Sequence, residues 1–153
     1  LAAEAAEDRA ERNPAAVRRG RKETHSMFIT VRSGKSLGDV RQKFEDAAAG
    51  RKFGVQGIHN VTATLRSKGL EFNRKLYIYE VCNPEAAKRV LDVNLRIGNA
   101  LPCRVTIYVD GKDVVLETIK PTTMLKMFDE PSLEGTARDV EAAIGEIMKE
   151  AAM

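Results

Sequence analysis

Apolar and polar residues alternate first at Met27-Phe28-Ile29-Thr30-Val31-Arg32, where 27, 29 and 31 are apolar and Thr30 and Arg32 point the other way. A period of two predicts a half-buried strand. The period then lengthens: Leu37, Val40, Phe44 and Ala47/Ala48 form one helical stripe. Ser36 opens that helix with Asp39 at the capping-box position, and Gly50 suits its C-terminal stop. Phe53 to Thr62 reads as a strand interrupted by Gly54 and Gly57, a pattern that predicts a bulge or a close backbone approach. Thr64 to Gly69 reads as a turn or a single helical turn. Leu76-Tyr77-Ile78-Tyr79-Glu80-Val81-Cys82 is dense in β-formers and predicts a strand.

Asn83 then caps a helix with Pro84 at its first position and Glu85 near the positive end of the dipole, while Ala86/Ala87 and Val90/Leu91 face inward. Pro102 to Val109 predicts a strand, Asp110-Gly111-Lys112-Asp113 its turn and Val114 to Ile119 the return strand. Pro121 stops the return strand, and Thr122 to Gly135 reads as irregular. Ala137, Val140, Ile144, Ile147, Met148 and Ala151 mark a closing amphipathic helix. Strands that cluster rather than alternate with helices predict an α+β fold, an antiparallel sheet with helices packed on one face.

Leu1–Ser26 differs from the rest. It is rich in Ala, Glu and Arg, lacks a bulky apolar stripe and ends in Arg18-Arg19-Gly20-Arg21-Lys22. It reads as a charged N-terminal arm or linker, residues 1–26, before a single α+β domain at 27–153, a division in keeping with a chain of 153 residues. With 43% hydrophobic residues, 5% aromatics and no Trp, the core must be aliphatic. A formal charge of +3 is an ordinary surface charge rather than the dense basic footprint of a nucleic-acid domain, so a nucleic-acid partner is not expected. No apolar run approaches the ~18 residues of a membrane span, and no leader pattern opens the chain, which points to a cytoplasmic protein.

Candidate chemistry is sparse. The two cysteines, Cys82 and Cys103, sit at strand ends. By alternation Cys103 shares a core-facing side with Val105 and Ile107, while Arg104, Thr106 and Tyr108 take the other. Three readings stand for the pair: small buried hydrophobes, thiols with a redox or sulfur-carrier role, or a structural bridge. If the two strands are antiparallel neighbours, both cysteines meet at one end of the sheet with Cα atoms within about 10 Å, too far for an unstrained bridge, and both thiols are reduced and mostly buried. A zinc site from His59, Cys82 and Cys103 lacks a ligand spacing and is outweighed by a structural histidine. Ser33-Gly34-Lys35-Ser36 resembles the end of a P-loop, but the position five residues before Gly34 is Ile29, not glycine. No catalytic group and no cofactor are indicated, so a binding role stands ahead of an enzymatic one.

The phrases Lys68-Gly69, Val81-Cys82-Asn83-Pro84-Glu85-Ala86-Ala87 and Leu101-Pro102-Cys103 together resemble the bacterial and archaeal family catalogued as domain of unknown function 302. The resemblance covers about residues 27–150 and leaves the charged arm outside it. It implies a layout similar to a single repeat of the TATA-binding-protein fold, and commonly a homodimer. It carries over the positions Lys68, Gly69, Cys82, Asn83, Pro84, Ala87, Pro102 and Cys103, and no established reaction. The expected function is a small-ligand or anion-binding domain with a cleft near Cys82-Asn83-Pro84 and Pro102-Cys103, the start of the Asn83 helix meeting the anion and Lys68 supplying the counter-charge. The alternatives are a thiol-dependent redox or sulfur-carrier protein using Cys82 or Cys103, and a homodimeric assembly module without a ligand.

Overall fold

The computed structural model describes residues 27–153, so the arm at 1–26, with its basic run and His25, lies outside the described residues. Five strands form one antiparallel sheet: β1 (Phe28–Ser33), β2 (Gly54–Asn60), β3 (Leu76–Cys82), β4 (Cys103–Asp110) and β5 (Asp113–Ile119), in the order β1-β5-β4-β3-β2. Two helices, α1 (Leu37–Gly50) and α5 (Glu134–Ala152), cover one face. Shorter helices α2 (Val61–Ser67) and α3 (Pro84–Val93) and a 3-10 turn at Leu95–Ala100 lie between strands, while α4 (Pro121–Leu125) and 3-10 turns at Lys126–Phe128 and Pro131–Leu133 link β5 to α5.

Alternation decides which residues make the core. Tyr79 and Val81 of β3, Val105 and Ile107 of β4, and Val114 and Leu116 of β5 point to the covered face, where Val40 and Phe44 of α1 and Ile144, Ile147 and Met148 of α5 close over them. Phe44 meets Tyr79 edge-on, with centroids 5.1 Å apart. The buried Tyr79 hydroxyl stays satisfied by accepting from Arg41 Nε at 2.9 Å and donating to Glu45 at 3.1 Å. β5 departs from strict alternation because Val115 is buried on the other face too, between its register partners Arg32 and Tyr108. Arg32 is held there by ion pairs to Asp110 at 2.7 Å and Asp113 at 3.4 Å, which tie β1 to the β4–β5 hairpin. That hairpin turns through Gly111 at φ +63°, a conformation that favours glycine in the first position of a two-residue turn.

Side chains set two helix starts where the sequence predicts them. Ser36 caps α1 by accepting from the Asp39 N–H at 3.2 Å, and Asn83 caps α3 by accepting from the Ala86 N–H at 3.1 Å. The expected irregularity in β2 is a register shift between Val55 and Gly57. Ser33 and Ser36 both serve the structure: the Ser33 hydroxyl donates to the Ala152 carbonyl at 2.8 Å and so ties β1 to the end of α5.

α1 stops at Gly50 as expected, and the left-handed residue beyond it is Lys52 at φ +62°, with the Phe53 N–H returning to the Ala48 carbonyl at 2.9 Å. Two boundaries fall elsewhere. β2 stops at Asn60 because the Asn60 side chain accepts from the Ala63 N–H at 3.0 Å and starts α2 there, three residues ahead of the expected turn. The stretch after Pro121 is not irregular: α4 and two 3-10 turns fold Leu125 and Leu133 against Ile97 and Ala137, a second small core flanked by Val90 and Phe128.

Candidate functional site

The β3–β4 ladder pairs Leu76 with Tyr108 at one end and Val81 with Cys103 at the other. Cys82 is therefore the residue just beyond that last pair, and both cysteines stand at the same end of the sheet. Their side chains diverge. Cys103 points to the covered face with its partner Val81 and packs against the main core, while alternation turns Cys82 to the face of Glu80 and Ile78. Side chains directed to opposite faces do not meet the geometry of a disulfide, and both thiols are free. Each is half-buried rather than sealed. Burial raises the Cys82 thiol above its ordinary value. Burial, with a smaller effect of neighbouring Cys82, pushes Cys103 up to about 11. Neither is poised as a thiolate at neutral pH.

The end of the sheet is also where the second core stands away from the first. A cleft of about 550 Å³ opens between them. Its walls come from the α3 cap Asn83 and from Ala86, Ala87 and Val90 of α3, from the segment Ile97 to Cys103, from α4 and from the first turns of α5. It wraps the strand ends and reaches the open face of the sheet, where Ile78, Arg104, Thr106 and Glu117 line it. Carbon dominates the lining, through Phe28, Phe53, Met124, Leu125, Phe128 and Val140 among others. The peptide bond between Leu101 and Pro102 in this wall is cis.

Cys82, Asn83, Pro102 and Cys103, expected to share a site, all line the cleft, with Ala87 beside them. Pro84, at the start of the same helix, is exposed and outside the lining. Lys68 and Gly69 are not brought there. They follow α2, which springs from Asn60; Asn60 pairs with Tyr77, at the far end of β3 from Cys82. Strand β3 alone spans roughly 20 Å between its ends. The anticipated counter-charge is thus absent from the lining, and the cation that does stand there is Arg104. Its place on the open side of β4 follows from alternation, but nothing in its local sequence marks it. His59 is likewise no partner of the thiols: its Nε2 lies 3.0 Å from Glu80 on the open face. Among the described residues no cluster of three or more His, Cys, Asp or Glu side chains is arranged to hold a metal ion.

Polar groups in the lining are mostly spoken for. Asn83 Oδ1 takes the Ala86 N–H, Thr118 donates to the Arg104 carbonyl at 2.6 Å, and Glu117 accepts from Thr30 at 2.7 Å. The arrangement suits enclosure of an apolar body with a few polar contacts at the open-face mouth, and it offers no activated nucleophile.

A family model described as "Domain of unknown function DUF302" matches residues 29–151. A crystal structure of an uncharacterized conserved DUF302 protein from Bacillus stearothermophilus is similar, at 31% identity and a TM-score of 0.79, over 82% of this chain and 98% of that one. No curated protein matches the chain. Among the described residues no helix is long and apolar enough to cross a membrane.

Proposed function

The chain belongs to the DUF302 family, and from that premise we propose that it is a small-molecule-binding protein whose ligand, predominantly apolar, occupies the cleft at the Cys82/Cys103 end of the sheet. The observation that carries this reading is the cleft itself, about 550 Å³ and lined chiefly by carbon. Ligand sites typically run to ~300–1,000 Å³ with apolar walls and a few oriented polar groups. An anion held at the start of α3 with Lys68 opposite is replaced by an apolar ligand with its polar end near Arg104. The raised thiol values weigh against the redox or sulfur-carrier alternative, since the thiolate is the reactive form.

The test is a methyl NMR titration of the full chain with N-phenyl-1-naphthylamine, a neutral apolar probe. Saturable shifts at Ile97, Leu125 and Val90 with Ile144 and Ile147 unmoved support the cleft. Uniform shifts, or none, overturn it.

The resemblance to the family also suggests a homodimer, and a second copy of this chain along the β2 edge is the arrangement we favour. That edge pairs on one side only, and it leaves Val55 at 37% and Ile58 at 43% exposure. An unpaired edge of this kind is a template for strand addition. Sedimentation of the full chain at tens of micromolar (a rough working range set by mass action) should give twice the chain mass. A single species at 16.9 kDa would refute association.

A further inference from the structure

The open face of the sheet carries a row of charges in which one member is left poorly matched. Arg104 stands on central strand β4 between two carboxylates, Glu80 on β3, its register partner, and Glu117 on β5, which pairs with Thr106. Each carboxylate has a closer partner on the outer strand beyond it. Glu80 Oε1 sits 3.0 Å from His59 Nε2 on β2 but 3.8 Å from Arg104 Nη2. Glu117 Oε2 accepts from the Thr30 hydroxyl on β1 at 2.7 Å. The two acids are thereby drawn outward to opposite edges of the sheet. Gly57 makes room for this on the β2 side: a Cβ there would come within 3.1 Å of Glu80 Oε2.

The Arg104 side chain remains 68% exposed, with five N–H donors and a single long ion pair to Glu80. It lines the cleft at its open-face mouth, in walls that are otherwise mostly apolar. A guanidinium so placed matches a planar two-oxygen anion better than it matches either displaced carboxylate, because parallel N–H···O bonds need the fork free.

We propose that Arg104 reads an acidic headgroup, so that the ligand class of the cleft is an amphipathic carboxylic acid whose hydrocarbon body enters between α3, α4 and α5. This rests on the cleft reading above. The half-buried thiols are consistent with it, being neutral neighbours for the apolar body rather than charges competing with the acid.

The experiment is displacement of N-phenyl-1-naphthylamine from the full chain by decanoate and by decanol, each kept below its aggregation concentration. Wild type should favour decanoate by about tenfold, the scale of one charge-assisted contact. The preference should shrink when NaCl is raised to about 0.5 M, where screening is strong. Arg104→Met should bring the ratio near one, and Arg104→Lys should keep part of it. Equal displacement by the two in wild type, a preference indifferent to salt, or one retained in R104M overturns the assignment of Arg104. If the neutral probe binds wild type while any of these holds, the cleft stands and only the headgroup inference fails. If the probe and both competitors fail to bind, the cleft reading itself has failed.

Discussion

Cys82 and Cys103 occupy one end of adjacent antiparallel strands yet face opposite sides of the sheet, because Cys103 pairs with Val81 and Cys82 is one residue further along. Proximity without convergence gives a sharp expectation. Treatment of the folded protein with diamide should leave the two thiols unlinked, as read by mass spectrometry after alkylation. Iodoacetamide at pH 8 should modify Cys82 before Cys103, which packs against the core, and both more slowly than in urea. Rapid intramolecular crosslinking in the native state would mean that the strand ends rearrange readily.

The Cys103 thiol also links stability to pH. Its folded value of about 11 lies above its ordinary 9.0, so between these limits the folded state holds more protons than the unfolded one. A raised folded value contributes stability that is complete below about 9 and is lost as pH rises toward about 11. Urea midpoints should therefore fall from pH 8.5 to 11 more steeply in wild type than in Cys103→Ala, the difference isolating this thiol from the lysines and tyrosines that titrate nearby. Parallel curves would contradict the burial assigned to Cys103.

Asn83 positions the helix that forms one wall of the cleft. Its side chain accepts the Ala86 N–H at 3.1 Å, and loss of such a cap costs about 1 kcal/mol. Asn83→Ala should lose that amount in chemical denaturation, while Asn83→Asp, which keeps an acceptor, should lose little. A cost for the aspartate equal to that for alanine would show that the Asn83 Nδ2 donor matters more than the cap.

Much of this architecture is legible from residue periodicity. The alternation in Leu76–Cys82 and the stripe Ala137, Val140, Ile144, Ile147, Met148, Ala151 each define one face, and the packing follows from it. Caps at Ser36 and Asn83 are visible because a short polar side chain precedes an apolar stripe. The start of α2 is obscured because Val61 and Thr62 are β-branched and read as strand, whereas the Asn60 cap and the Thr62 hydroxyl bond to the Arg74 carbonyl hold them in a helix. The site is half legible for a similar reason. Asn83 and Cys103 border elements, and borders can be read. Which end of the sheet receives Lys68 depends on where α2 departs from β2, and the position of Arg104 beside the cleft depends on α4 folding back, a long-range contact with no local signature.

The central claim is that the cleft at this end of the sheet takes an apolar small molecule. Ala87 lines it from α3, so Ala87→Phe places a ring in the space the ligand would occupy. The decisive measurement is a fluorescence titration of N-phenyl-1-naphthylamine into wild type and A87F at matched concentrations, with thermal melts to show that both are folded. Wild type should show saturable enhancement, and the folded variant an affinity reduced at least about tenfold, the scale of losing a few buried methylenes. Undiminished binding in folded A87F, or no saturable binding in wild type, would contradict the claim.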